Sequence, residues 1–112
     1  MEHQDLLAGF VRLHILHHAV EGEVYGQWMI EELARHGYKL SPGTLYPMLH
    51  AMERRGYLVS NERRSGRTFR RLYHATPYGQ EALVVARRQA LELFGHVVQS
   101  VEQPAVTKAK PR

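Results

Sequence analysis

The stretch 40–58, LSPGTLYPMLHAMERRGYL, constrains the fold of this chain more than any other. Ser41-Pro42 opens a helix, because a hydroxyl accepts from the free N–H groups of a helix start and proline fits the first turn. Leu45, Met48, Leu49 and Met52 recur at spacings of three and four, which makes one apolar stripe. Arg54-Arg55 followed by Gly56 sets basic side chains at the negative pole and a turn-competent residue after it. Opposite the stripe lie Gly43, Pro47, His50 and Arg54, flanked by Thr44 and Tyr46. That face is small and polar at its N-terminal end and basic further on, which suits a DNA major groove. The plainer reading is an ordinary core helix. Pro47 removes the hydrogen bond to the Gly43 carbonyl, which predicts a tight or slightly kinked first turn.

The charge distribution weighs against the plainer reading. Residues 54–71 carry seven arginines (Arg54, Arg55, Arg63, Arg64, Arg67, Arg70, Arg71) against Glu62, a local +6. The formal net charge is +4, so the remainder of the chain stands at −2. One basic segment on a slightly acidic chain points to a localised polyanion contact. Membrane headgroups fit less well, since no amphipathic basic helix accompanies the patch. A chain of 112 residues is expected to form one compact unit with a modest core. No apolar run is long enough to span a bilayer, and the start MEHQDLL lacks a secretion-signal layout, so a cytoplasmic protein is expected. The absence of cysteine excludes disulfides, thiolate nucleophiles and sulfur-ligated zinc.

In order, residues 5–20 read as a helix with Leu6, Phe10, Leu13, Leu16 and Val20 on one side. The turn EGEV (21–24) leads to a second helix from Tyr25 to about His36, whose inner face is Gly26, Met29, Ile30 and Leu33. Trp28 falls off that face and either covers a neighbouring helix or subunit contact, or lines an effector pocket. After the third helix, 57–60 and 71–74 are short strand-like runs around the basic, turn-prone loop Arg63-Arg64-Ser65-Gly66-Arg67. Thr76-Pro77 starts a fourth helix to about Val101, near 40 Å long. Leu83, Ala86, Ala90, Leu93, Phe94 and Val97 form a seam on it suited to a second helix. The expected fold is mainly α with a small β-hairpin: a winged helix-turn-helix over 1–75, a dimerisation helix over 76–102, and a disordered tail over 103–112.

Tyr25-Gly26, the string Ser41-Pro42-Gly43-Thr44-Leu45-Tyr46-Pro47 with Leu49, Glu53 and Gly56, and then Tyr73, Thr76 and Gly79 resemble the PadR family of bacterial transcription regulators. The likeness runs from about Leu6 to Phe94. It implies a homodimeric repressor that binds a pseudo-palindromic double-stranded DNA operator and is released by a small effector. It also implies a recognition helix at 41–55, a wing at 61–71 and a dimerisation helix at 76–101. The single short C-terminal helix is similar to the smaller size class of that family. Trp28 stands where the family usually has a polar or acidic residue, and Leu72 replaces the first of two tyrosines common at the end of the wing. No tryptophan occurs in 76–101, so a stacked-indole drug site is not implied.

The expected DNA contacts are Tyr25, Ser41, Pro42, Gly43, Thr44, Tyr46, Pro47, His50, Arg54, Arg63, Arg64, Arg67, Arg70, Arg71 and Tyr73. Among them the wing arginines act as phosphate positioners, and Arg67 is a candidate for the minor groove. One or two of these arginines are expected to be plain surface charges. Thr44, Tyr46, Pro47 and His50 are the candidates for base edges or thymine methyls. The expected dimer interface combines Leu6, Phe10 and Leu13 with the seam of the fourth helix.

Eight histidines are many for this length. His14, His17 and His18 share the first helix, and an i, i+4 pair can hold a metal, with Glu21 as a nearby carboxylate. Without sulfur, zinc, nickel or another borderline cation would fit nitrogen and oxygen ligands. The blander account has His17 leaning toward the core and His14 and His18 at the surface; a pH-sensing role is a further reading. No cofactor is required on these grounds, while a divalent metal or a small aromatic molecule remains a candidate effector. Catalysis is not expected. His-x-x-His-His lacks the glutamate of a metal hydrolase, and the chain has no phosphate loop and no nucleophile elbow. A winged-helix protein-interaction module is the other rival, but it would not need seven concentrated arginines.

Overall fold

In a computed structural model, residues 3–102 are described, and the expected disordered tail lies outside them. The elements are α1 (Gln4–Glu21), β1 (Val24–Tyr25), α2 (Gly26–Arg35), α3 (Pro42–Arg54), β2 (Leu58–Ser65), β3 (Thr68–Ala75) and α4 (Pro77–Glu102). This is the expected mainly helical winged architecture, with two departures in the sheet. The segment expected as a plain turn contributes β1, which pairs with β3 (Val24↔Tyr73, Tyr25↔Leu72) to give a three-stranded antiparallel order β1-β3-β2. The basic segment expected as a loop is instead a ladder that runs in register from Leu58↔Ala75 to Ser65↔Thr68. Only Gly66-Arg67 turns. Gly66 has φ 60° and Arg67 does not share the left-handed region, the combination of a two-residue hairpin turn with glycine first.

The stripe of α3 faces inward as the spacing requires: Leu45, Leu49 and Met52 are buried and Met48 partly so. Each such side chain contributes roughly 1.5–3 kcal/mol of burial. They meet Met29 and Leu33 of α2, Leu58 of β2, and Val11, Ile15, Leu16 and Ala19 of α1. The expected stripe of α1 is split: Leu16 joins the core, which also takes Val11, Ile15 and Ala19, while Leu6, expected at a dimer interface, lies outside it. Leu6 is 74% exposed, whereas Val11 and Ile15 are fully buried. In an almost continuously apolar helix the 3.6 period leaves two faces nearly equivalent, and the neighbours choose between them.

The two hydroxyl-proline helix starts behave differently. At α4, Thr76 Oγ1 accepts from Gly79 N at 2.9 Å and donates to the Gly56 carbonyl, so one hydroxyl caps α4 and ties it to the end of α3. At α3, Ser41 makes no side-chain cap; its hydroxyl donates to Thr44 Oγ1 at 3.3 Å. The Ser41 carbonyl takes both the Thr44 and Leu45 N–H groups, which makes the first turn tight. Gly79 itself packs flat on the chain: a β-carbon there would overlap the Tyr57 carbonyl. Gly79→Ala is accordingly expected to destabilise the fold by about 1–3 kcal/mol, measured as a lowered urea midpoint at unchanged slope.

Candidate nucleic-acid interface

The outward face of α3 is open: Ser41, Pro42, Gly43, Pro47, His50 and Arg54 are exposed, and Thr44 is partly so. Tyr46 is half-buried, its ring occupying the space a side chain on Gly26 would need. It shares a groove between the start of α2 and β3 with Gln27, Phe69 and Arg70. The basic hairpin stands beside this face, and residues 61–71 are all exposed.

The hairpin arginines are not equivalent. Arg63 and Arg70 are direct cross-strand neighbours, an arrangement that repulsion disfavours. Glu23 takes Arg63 at 3.0 Å, and Arg70 lies over the Tyr25 ring at 4.3 Å. Together with Ser65 and Thr68 they line one concavity, a suitable seat for an anion. Arg64 lies over Phe69 at 5.0 Å. Arg67, at the tip, has no partner among the described residues. Arg71, in contrast, donates to Ser60 Oγ at 3.1 Å and to Glu62 Oε1 at 2.9 Å. Ser60 in turn donates from its N–H and its hydroxyl to the Glu53 carboxylate of α3, at 3.1 and 2.9 Å. Arg71 thus braces the hairpin against α3. The motif held Glu53 but gave no sign of its partner, which comes from register.

Tyr73 needs correcting as an expected DNA contact. It is fully buried opposite Ser60, and its hydroxyl has no hydrogen-bond partner among the described residues. Burial first, and then the Glu53 charge, pushes that hydroxyl above the usual tyrosine range. It is a residue of the hydrophobic core.

These features correspond to known proteins. The sequence profile of the transcriptional regulator PadR-like family matches residues 15–85. The chain belongs to the PadR family. It is 54% identical over 88 residues to the transcriptional regulator Rv3488 of Mycobacterium tuberculosis, covering 79% of this chain and 82% of that one. Among solved structures it resembles a PadR family transcriptional regulator from Eggerthella lenta, with TM-score 0.77, 28% identity, and 89% and 88% of the two chains covered. A PadR-like transcriptional regulator from Bacillus cereus superposes with TM-score 0.76 at 26% identity, covering 90% and 99%. This PadR protein is therefore a DNA-binding transcriptional regulator with a winged-helix fold. No helix among its described residues is long and apolar enough to cross a membrane.

Away from the wing, the histidines gather between α1 and α2. His17 is the more exposed of its pair (39%, against 15% for His18), the reverse of the bland expectation. His17 Nδ1 accepts from Arg87 Nη2 at 2.9 Å, and His17 Nε2 lies 3.6 Å from Glu21. His18 places Nδ1 3.8 Å from Glu21 and Nε2 3.5 Å from Glu32. His36 Nε2 lies 3.1 Å from that same Glu32 oxygen, and Arg35 holds the other at 3.2 Å. His14 packs on His36 and Tyr38, and His18 meets Trp28 edge-on at 5.2 Å. Burial, followed by neighbouring imidazoles, keeps His14 and His18 below the usual histidine range. The expected set of His14, His17, His18 and Glu21 is thus divided: ligand atoms of His17, His18 and Glu21 lie within 4.8 Å of one another, and His14 faces α2 instead. Glu32 and His36 were missed, although their i, i+4 spacing on one helix was a usable signal.

The brace is testable. Glu53→Ala is expected to cost about 1.5–3 kcal/mol in urea unfolding, and to speed hydrogen exchange at the Ser60 amide and along β2 well beyond that at Leu45 or Leu49. Equal acceleration in both regions would deny Glu53 its local role.

Proposed function

We propose that this PadR protein acts as a homodimeric repressor on a pseudo-palindromic operator. Each subunit would lay the exposed face of α3 in the major groove and set its wing along the neighbouring backbone. The observation that carries this reading is the pairing of Arg63 with Arg70 across the wing, beside an unpartnered Arg67. Like charges held opposite one another favour an anion between or above them. Arg63, Arg64, Arg67 and Arg70 would position phosphate, with Arg67 reaching the minor groove. Thr44, Pro47 and His50 would face base edges, and Arg54 the backbone.

Support for a dimer comes from α4. Leu83, at the root of the expected seam, belongs to the subunit's own core and leaves the interface list. Beyond it Leu91, Leu93, Phe94, Val97 and Val98 are exposed, Leu91 to 77%. A continuous apolar face of this extent is a surface for another helix. Phe10 lies 5.6 Å from Phe94, so α1 and α4 present that surface together, with Leu6 and Ala90 at its margins. A two-fold pair would read half-sites about one helical turn apart.

Release by a small apolar effector fits a cleft of about 300 Å3 between α1, α3 and α4, walled by Leu13, Leu16, Met52 and Ala86 with Arg12 and Arg55 at hand. Trp28 is not part of it; it packs on the core beside His18.

The test is fluorescence anisotropy with DNA from upstream of the protein's own gene, titrated with salt, alongside light scattering. A dimer engaging on the order of ten phosphates gives a log–log salt slope near about −9. Arg67→Ala with Arg70→Ala is expected to weaken binding to all sequences alike and flatten that slope by about 3 to 4. Phe94→Asp is expected to yield monomers. Unchanged affinity in the double variant at physiological salt, or a parent protein that is monomeric, would refute the reading.

A further inference from the structure

We propose that His18, Glu32 and His36, with His14 completing the shell, bind a divalent transition-metal ion that clasps α1 to the end of α2. A four-coordinate ion with ligands at about 2.0–2.2 Å sets its donor atoms about 3.3–3.6 Å apart. One Glu32 oxygen already stands 3.5 Å from His18 Nε2 and 3.1 Å from His36 Nε2, which are two edges of such a polyhedron. The third, from His18 to His36, is open, because among the described residues only His17, His18 and Glu21 bring three ligand atoms within 4.8 Å of one another; turning His36, whose side chain is half-exposed at the end of its helix, would close it. His14 lies against the His36 ring at 5.0 Å, between the two helices.

The surroundings favour an ion here over one on α1 alone. Glu32 is only 13% exposed, so its carboxylate is poorly hydrated, whereas Glu21 is in open solvent. Arg35 binds the Glu32 oxygen that faces away from the imidazoles, the kind of outer partner that orients a ligating carboxylate. Arg87, by contrast, donates to His17 Nδ1. A guanidinium only donates, so a neutral His17 carries its proton on Nε2 and presents no lone pair toward Glu21. Three imidazoles and one carboxylate without sulfur select zinc, cobalt or nickel over calcium or magnesium.

An ion at this point would fix α2 on α1, and α2 packs directly against α3 through Gly26 and Tyr46. That the clasp alters operator affinity rests on the DNA-binding reading above, but metal binding itself does not. The decisive experiment therefore begins without DNA, titrating Co2+ into metal-free full-length protein. An intense visible absorption of four-coordinate cobalt is expected, with a parallel change in emission from Trp28, the single tryptophan, which touches His18.

Glu32→Gln and His36→Ala are each expected to weaken Co2+ by at least about tenfold, with far-ultraviolet circular dichroism unchanged. His17→Ala and Glu21→Gln are expected to bind as the parent does. No absorption change at millimolar Co2+ overturns the site. Loss of binding in His17→Ala and Glu21→Gln, with retention in Glu32→Gln and His36→Ala, overturns it equally by placing the ion on α1 alone. Anisotropy with Zn2+ then tests the consequence: a shift in DNA affinity seen in the parent and absent in His36→Ala supports it, and equal affinity with and without the ion refutes it.

Discussion

The Glu53 carboxylate joins α3 to the β2–β3 hairpin, and the placing of the basic hairpin beside the exposed face of α3 depends on that join. Glu53 sits in the last turn of α3 and accepts both the N–H and the hydroxyl of Ser60 on β2. The same hydroxyl accepts from Arg71, so the hydrogen bonds run in one direction from guanidinium to hydroxyl to carboxylate. Such a chain is polarised along its length and strengthens each member. A two-stranded ribbon is marginal when it stands alone. This one is held at its base by Leu58 and Tyr73 in the core and by the Glu53 bridge on one face. Its other edge is covered by β1.

That arrangement divides the arginines by the face they occupy. Alternation along β3 sends Arg71 to the side of Glu53 and Arg70 to the side of Tyr25. Arg71 meets Glu62 and Ser60, and its charge is largely answered within the hairpin. Arg70 has an aromatic ring below it and a second guanidinium opposite. A cation–π contact leaves the donors of a guanidinium open, while an ion pair engages them. Two neighbouring arginines in one strand therefore serve different ends, and only the pleat distinguishes them.

The pleat also marks the limit of what could be read from residues in order. The stripe of α3 and the Thr76 start of α4 are local signals, and each took its expected form. Features set by distant partners were not legible. β1 is two residues long, too short to carry an alternation, and exists because β3 offers it a ladder. Tyr73 looked like a polar residue on a basic hairpin until register placed it opposite Ser60, over the core. The arginine-rich segment read as a loop because its composition is polar throughout, yet a strand exposed on both faces has no apolar alternation to display. On α1 two stripes compete, since Leu6, Phe10 and Leu13 make as good a run as Val11, Ile15 and Leu16, and the residues in order did not mark Val11 and Ile15 as core.

His17 and His18 show how much one step along a helix decides. They are neighbours in sequence and about a hundred degrees apart around α1. One reaches Arg87 on α4 and the other Glu32 on α2. The helix α1 thus touches both α2, which packs on α3, and the long α4 with its exposed apolar side chains. The two rings therefore meet opposite chemistry although they are adjacent: a guanidinium donates to His17 Nδ1, and a carboxylate faces His18 Nε2.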